Sequence, residues 1–302
     1  MTDKRVALVG LGSMGGGMAR VLLRAGFTVH GFDVDRGREQ DFAKESGVPA
    51  DPAALAEVSA VVLLVVNAAQ VEEVLFGDGR FGPEGVMGRL PPEAVVVNCA
   101  TVPPAFARAM GERVGIDRYL DAPVSGGTAR AAEGDLSVLA AGSPVAFQRG
   151  RDVLEALART VYRLGEAPGP GSAMKAVNQL LAGVHIVAAA EAITFGMSQG
   201  LEPGQIVDII GESAGNSWML QNRGPHIRDG DYTPLSAVEI FVKDLGLVDD
   251  IARQARFSAP LAAVALHQFL AAAGSGLGRE DDAAVAKVYA RNAGLTLPGE
   301  EA

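Results

Sequence analysis

Residues 168–200, PGPGSAMKAVNQLLAGVHIVAAAEAITFGMSQG, hold two formally charged side chains, Lys175 and Glu191. Lys175 follows a Pro/Gly-rich break and stands near the start of a long helical pattern. A helix N-terminus carries partial positive charge and unpaired N–H groups, so a cation there is disfavoured. A lysine held near positive potential and away from water has a lowered pKa, which suits proton transfer. The alternative is a surface lysine whose stem lies on apolar surface while its head reaches water. The uncharged neighbourhood and the helix start favour the first reading.

A second stretch is built for a phosphate. VALVGLGSMGGGMAR places Gly10, Leu11, Gly12, Ser13, Met14 and Gly15 in a G-x-G-x-x-G loop, directly after one strand pattern and opening a helical one. Asp33 ends the next strand, close to the ~20 residues on that a dinucleotide site requires. The glycines permit a tight turn and let the backbone approach a pyrophosphate resting on the helix N-terminus. Asp33 would accept from adenosine ribose hydroxyls and repel a 2′-phosphate, which favours NAD over NADP. Arg36 argues the other way, since a nearby arginine can accommodate that phosphate. The alternative for the loop is a glycine-rich turn without a ligand. DAPVSGGTARAAEG (121–134) is a further glycine site. Ser125, Gly126 and Gly127 offer a hydroxyl and successive backbone N–H groups, a nest suited to a carboxylate. On this stretch alone an ordinary strand-to-helix turn is an equal reading.

These groups need elements to position them. The chain has 302 residues, 48% hydrophobic, enough for a sizeable core and, by length, two domains. A net charge of −10 argues against a nucleic-acid partner. One cysteine, Cys99, allows no internal disulfide and implies no oxidising compartment. The N-terminus reads as a strand and turn rather than a signal peptide, so a cytoplasmic protein is expected. The 168–200 stretch is interrupted by Asn178, Gln179, His185 and Glu191, which argues for a buried protein helix over a membrane span.

Short β-branched runs at 5–10, 28–33, 60–66, 94–100, 119–124, 136–142 and 160–165 alternate with Ala-rich helical segments. Unbroken apolar strands with helical crossovers predict a parallel sheet covered on both faces. Ser143 with Pro144 predicts a helix start. The alternation stops near Gly165, and GEAPGPGS reads as a boundary. The expected architecture is an α/β Rossmann-type domain over 1–165 and an all-helical domain over 166–302. Helical patterns in the second part break at 200–204, 226–234 and 273–278. No His, Cys or carboxylate cluster has metal-ligand spacing, so no metal is expected. Cys99 reads as a small buried apolar residue, and His185 as a core or interface histidine.

Together these motifs resemble the β-hydroxyacid dehydrogenase family over nearly the whole chain. GLGSMGGGMA resembles its cofactor loop, DAPVSGG its substrate loop, GPGSAMKAVNQ its catalytic pattern and FVKDLGLV (241–248) its C-terminal cofactor segment. Within the family, QLLAGVHIVAAAEA, AGNSWMLQNR, GDYTPLSAVEIFVKDLGLV and GREDDAAV resemble the branch that oxidises L-threonate. Gln179 stands where many members carry a second asparagine. LLVVNAAQV (63–71) lacks the commoner proline after the strand.

The resemblance implies Lys175 as acid/base with Asn178 beside it, and Ser125, Gly126 and Gly127 as a carboxylate clamp. It implies Val66, Asn67, Thr101 and Lys243 as further cofactor contacts. Thr101 as a helix N-cap, and Lys243 as a partner of Asp244 or Glu239, are the structural alternatives. Asn216 and Ser217, with Trp218 beside them, would meet the far end of a hydroxylated substrate; Trp218 reads equally well as core. The expectation is NAD-dependent oxidation of a small hydroxy acid, L-threonate to its 2-keto acid, by a homodimer or homotetramer. A 3-hydroxyisobutyrate dehydrogenase or a tartronate or succinic semialdehyde reductase is the alternative of the same class. A dinucleotide-binding regulator without catalysis is the alternative of another class. Lys175 with Asn178 argues against that one, since a sensor needs no proton donor. Imine reduction is disfavoured because related imine reductases usually replace this lysine.

Overall fold

The computed structural model describes residues 4–300. The chain divides into two compact units after Lys175. In the first, β1 (Arg5–Val9), β2 (Thr28–Phe32), β3 (Ala60–Leu63), β4 (Val95–Asn98) and β5 (Tyr119–Asp121) form one parallel sheet in the order β2-β1-β3-β4-β5. The crossovers carry α1 (Ser13–Arg24), α2 (Arg36–Ser46), α3 (Ala68–Phe76) and α4 (Pro104–Val114). Alternate strand residues feed two cores. Val6, Leu8, Val62 and Val97 pack with Met18 and Leu22 of α1. Ala7, Val9, Val61 and Val96 pack with Val71 and Leu75 of α3 and Met110 of α4. Burial on both faces is why these strands read as unbroken apolar runs. The strand order reverses between β1 and β3, where ligands bind in doubly wound sheets.

The seven strand patterns do not all join that sheet. β6 (Val124–Ser125), β7 (Leu136–Ala140) and β8 (Ala158–Arg163) form a second one, with β6–β7 antiparallel and β7–β8 parallel. The run read as one strand over 119–124 is divided at Pro123, which has no N–H to give a ladder. Its carbonyl accepts from Leu139 N–H at 2.9 Å. Between β6 and β7 lies only α5 (Gly127–Glu133) with its short flanks, too little chain for a parallel crossover. α6 (Pro144–Leu157) starts as expected, with Ser143 Oγ accepting from Ala146 N–H at 3.1 Å.

The second unit is helical. It is entered along α7 (Pro170–Ser198) and continues through α8 (Pro203–Gly211), α9 (Trp218–Asp229), α10 (Val238–Gln254), α11 (Pro260–Ala272) and α12 (Val285–Ala293). Among its described residues there is no strand, only an isolated bridge between Ala237 and Asp281. Its core gathers Ile186, Ile193, Phe241, Leu245, Phe269 and Val285, with the Phe241 and Phe269 rings stacked at 5.2 Å. Despite its polar interruptions, α7 has the length and composition of a membrane span, with a mean hydropathy of 1.7. Half of that window is buried inside the protein, as in the core helix of a globular domain.

Candidate active site

The glycine loop owes its sequence to crowding. Gly10 has φ +103°, and a Cβ there would stand 2.3 Å from the Leu64 carbonyl oxygen. A Cβ on Gly15 would stand 1.8 Å from the Gly10 carbonyl oxygen. Neither position admits a side chain, so α1 starts pressed against the end of β1. Gly12 is the N-cap of α1, with no side-chain cap and no acid in the first turn. The N–H groups that an α-helix leaves unpaired at its start are thus available to an anion. Ser13 is exposed and Met14 half-buried beside them.

Asp33, one residue past β2, turns its carboxylate to this loop. Oδ2 accepts from Leu11 N–H at 2.6 Å and Oδ1 from Asp35 N–H at 2.8 Å. A tight turn, an uncapped helix start and a carboxylate at the loop are the groups a dinucleotide requires, so these residues fit that cofactor. Val34, next in the chain, is 96% exposed. The sequence analysis gave it no role.

The turn after β6 depends on its two glycines. Gly126 and Gly127 have successive positive φ angles of 142° and 73°, which L side chains rarely adopt. α5 begins there without a side-chain cap. Ser125 is half-buried at the end of β6, paired across the sheet with Ser137.

Asp121 is fully buried, and the sequence analysis gave it no role. Its Oδ2 accepts from the N–H groups of Gly169 and Ser172 at 2.8 and 2.9 Å, and its Oδ1 from Ser172 Oγ at 2.5 Å. It therefore caps the start of α7. Burial pushes its carboxyl above the usual range, although bonds from Ser172, Gly169 and Gly171 oppose that shift. A Cβ on Gly171 would lie 2.4 Å from the Leu139 carbonyl oxygen and 2.5 Å from that of Asp121. The first turn of α7 is thus held against the ends of β5 and β7. Lys175 stands one turn beyond Ser172 and is 9% exposed. The surface-lysine reading is set aside by that burial. The positive end of α7 is not bare, however, because the Asp121 carboxylate lies on it. An acid inside an apolar strand, as in YLDAP, was the signal that could have found it.

Asn178, one turn past Lys175, donates through Nδ2 to Gln179 Oε1 at 2.9 Å. Gln179 Nε2 donates to buried Asp244 Oδ2 at 2.5 Å, and Lys243 Nζ meets Asp244 Oδ1 at 2.5 Å. Gln179 thus has a structural task that its glutamine length makes possible. Lys243 is paired with Asp244, one of the two partners expected for it. Ser217 is the N-cap of α9, accepting from Leu220 N–H at 3.0 Å. Asn216 Nδ2 donates to the Gly211 carbonyl at 2.7 Å, while its Oδ1 is buried without a partner.

Asn67 caps α3, accepting from Gln70 N–H at 2.9 Å, while Gln70 Oε1 accepts from Val66 N–H at 2.8 Å. This reciprocal cap leaves the Val66 side chain exposed. The cap position of α4 is Pro103, with no side-chain cap, so Thr101 is not its N-cap. Trp218 is the first residue of α9 and is 47% exposed, which sets aside its reading as core. Cys99 is buried, and desolvation pushes its thiol up to about 12. A disulfide reagent at pH 8 is therefore expected to label native protein only as fast as the fold opens. Rapid stoichiometric labelling without unfolding would contradict this burial.

Residues 5–165 match the family model described as the NAD-binding domain of 6-phosphogluconate dehydrogenase. Residues 169–289 match the one described as NAD-binding of NADP-dependent 3-hydroxyisobutyrate dehydrogenase. The chain is 51% identical to L-threonate dehydrogenase of Cupriavidus necator over 99% of both chains. It is 46% identical to the Escherichia coli enzyme of the same name over 99% of this chain and 98% of that one. A crystal structure described as 3-hydroxyisobutyrate dehydrogenase from Salmonella typhimurium superposes with a TM-score of 0.87 at 45% identity, covering 95% of this chain and all of the other. The matched lengths run through both units. This identity makes the chain a member of the β-hydroxyacid dehydrogenase family, nicotinamide-dependent oxidoreductases that act on a CH–OH group.

Proposed function

We propose that the protein oxidises L-threonate to its 2-keto acid with NAD as acceptor. The observation that carries this reading is a buried lysine, Lys175, on a helix start fixed by Asp121 and Gly171, in a chain 51% identical to an L-threonate dehydrogenase. What the dinucleotide supplies, when bound, is a hydride acceptor at its nicotinamide ring. Lys175, in its neutral form, takes the hydroxyl proton while the carbon–oxygen double bond forms. In the reverse direction its ammonium returns that proton and polarises the carbonyl. Asn178 keeps a second N–H and its carbonyl for the substrate oxygen or the Lys175 ammonium. The Ser125 hydroxyl and the turn N–H groups hold the carboxylate. Val66, Asn67, Thr101 and Lys243 are cofactor contacts in this reading.

A second reading, 3-hydroxyisobutyrate as substrate, is favoured by the description of the Salmonella structure. Following NADH at 340 nm across a panel of C3–C4 hydroxy acids separates the two. L-Threonate is expected to give the highest kcat/KM. Turnover confined to 3-hydroxyisobutyrate would replace the first reading with the second, and no turnover at all would leave the regulator.

Threonate carries hydroxyls where 3-hydroxyisobutyrate carries a methyl. A site that pairs hydroxyls rejects an analogue lacking them, because its own polar groups are left unpaired. Asn216, whose buried Oδ1 has no partner, and Ser217 are the residues we assign to that end. Asn216→Ala is expected to lower kcat/KM for threonate more than for 3-hydroxyisobutyrate, by roughly 1–3 kcal/mol. Ser217→Ala should also cost about 1 kcal/mol of stability through the lost cap of α9. Equal losses on both substrates for Asn216→Ala would mean that this segment shapes the unit and does not read the substrate.

A homo-oligomer built through the helical unit is part of the proposal. Val177 and Leu181 of α7, Ile209 of α8 and Leu261 and Val264 of α11 are apolar and exposed in the single chain. A second copy covering them would account for apolar side chains that the single chain leaves exposed. A cytoplasmic location accords with a single buried cysteine. Sedimentation showing a monomer at micromolar concentration would overturn the oligomer.

A further inference from the structure

Three arginines surround the acid that reads the ribose, and each is already engaged. Arg36 Nη1 meets Glu39 Oε2 at 2.8 Å. Arg80 donates to Glu39 Oε1, and to the Asp33 carbonyl at 3.0 Å. Arg38 pairs with Asp35 at 3.4 Å and lies beside Gly12 of the loop. Glu39 is 6% exposed in the first turns of α2, whereas Arg36 is 62% exposed, so the fixed partner of that pair is the carboxylate. Its Oε1 also accepts from Asp33 N–H at 3.0 Å. Glu39 and Arg80 thus hold both backbone polar groups of Asp33. Arg80 is pinned in turn over the rings of Phe32 and Phe81, which meet edge to face at 5.3 Å.

A dinucleotide bearing a 2′-phosphate needs a guanidinium free to turn to it, usually from the residues after the ribose acid. Arg36 is the candidate by position. We propose that Glu39 sets cofactor preference from behind the site, as a positioning residue: it engages Arg36, withholding the counter-cation that a 2′-phosphate requires, and together with Arg80 it fixes Asp33 to meet ribose hydroxyls. This inference rests on the NAD reading above and names the residue that enforces it. Burial opposes the charge on Glu39, but bonds from Arg80, Arg36 and the Asp33 N–H hold its carboxyl below the ordinary range. The trap therefore stays ionised at neutral pH. The preference is accordingly set one turn into α2 as well as at the β2 terminus.

The test uses fluorescence titration of the whole protein with NADH and NADPH, so no substrate is required. Wild type is expected to bind NADH more tightly. Glu39→Gln keeps the shape and can still accept from Asp33 N–H, but it no longer holds two guanidiniums. It is expected to shift the ratio of NADPH to NADH affinity toward NADPH at least about tenfold, the worth of one charge-assisted hydrogen bond. Arg36→Ala alone should leave the ratio unchanged, because Arg36 is already withheld. Added to Glu39→Gln, it should abolish the gain. An unchanged ratio in folded Glu39→Gln, or a gain that survives Arg36→Ala, overturns the role of Glu39. Loss of NADPH affinity in Arg36→Ala alone overturns it without the Glu39 variant, because it shows Arg36 free in the native protein. A wild type that binds NADPH more tightly overturns the NAD reading instead, which the variants do not test.

Discussion

Lys175→Ala is expected to lower kcat by about 10²–10⁴-fold with NADH binding unchanged. The loss corresponds to roughly 3–5 kcal/mol of barrier. In the mechanism proposed above one group both accepts the hydroxyl proton and returns it, and no other ionisable side chain stands within one turn of it on α7. In the proposed reading the dinucleotide is held by the glycine loop and Asp33, so NADH titration should not move. Lys175→Arg sharpens the test. A guanidinium keeps the charge but does not lose its proton in a protein, so it cannot act as base in the oxidation. Its kcat should fall nearly as far as that of the alanine variant. Retention of more than about a tenth of wild-type kcat in either variant would remove Lys175 from the chemistry.

Asp121→Ala is expected to unfold the protein at markedly lower denaturant, with a loss on the order of 3–5 kcal/mol. Two N–H groups and one hydroxyl at the start of α7 lose their acceptor inside the protein, and each buried orphan costs about 1–3 kcal/mol. Asp121→Asn should lose much less, because the amide oxygen still accepts from Gly169 and Ser172. The carboxyl of Asp121 is raised by burial. The folded state therefore binds its proton more tightly than the unfolded chain does. Ionising Asp121 costs nothing below the unfolded pKa, and the full cost is present above the folded pKa. Asp121→Asn should remove that part of the pH dependence. Urea melts followed by circular dichroism at two pH values check both points. An alanine variant as stable as wild type would mean that water, not Asp121, satisfies the helix start.

The parts of the site that could be read from the sequence are those set by local sterics. Gly10 and Gly15 are required within one strand–turn–helix, and their spacing states it. Asp33 follows at the end of the next strand. Lys175 and Asn178 share a helix, so their spacing puts them on one face. The unbroken apolar runs identify strands buried on both sides, and the end of the alternation marks the helical part.

The tertiary structure decided which distant groups meet. The run at 119–124 was legible as extended, but its division at Pro123 between two sheets depends on which strands lie beside each half. Asp121 serves a serine 51 residues later, Arg80 a glutamate 41 residues earlier and Gln179 an aspartate 65 residues on. The sequence analysis assigned Lys243 to the cofactor by resemblance, and only the fold shows Asp244 tied to both Lys243 and Gln179. Residue spacing encodes the repeat of a strand or helix and the reach of a turn. It carries no record of where a later element crosses an earlier one, and a buried carboxylate takes its partners at those crossings.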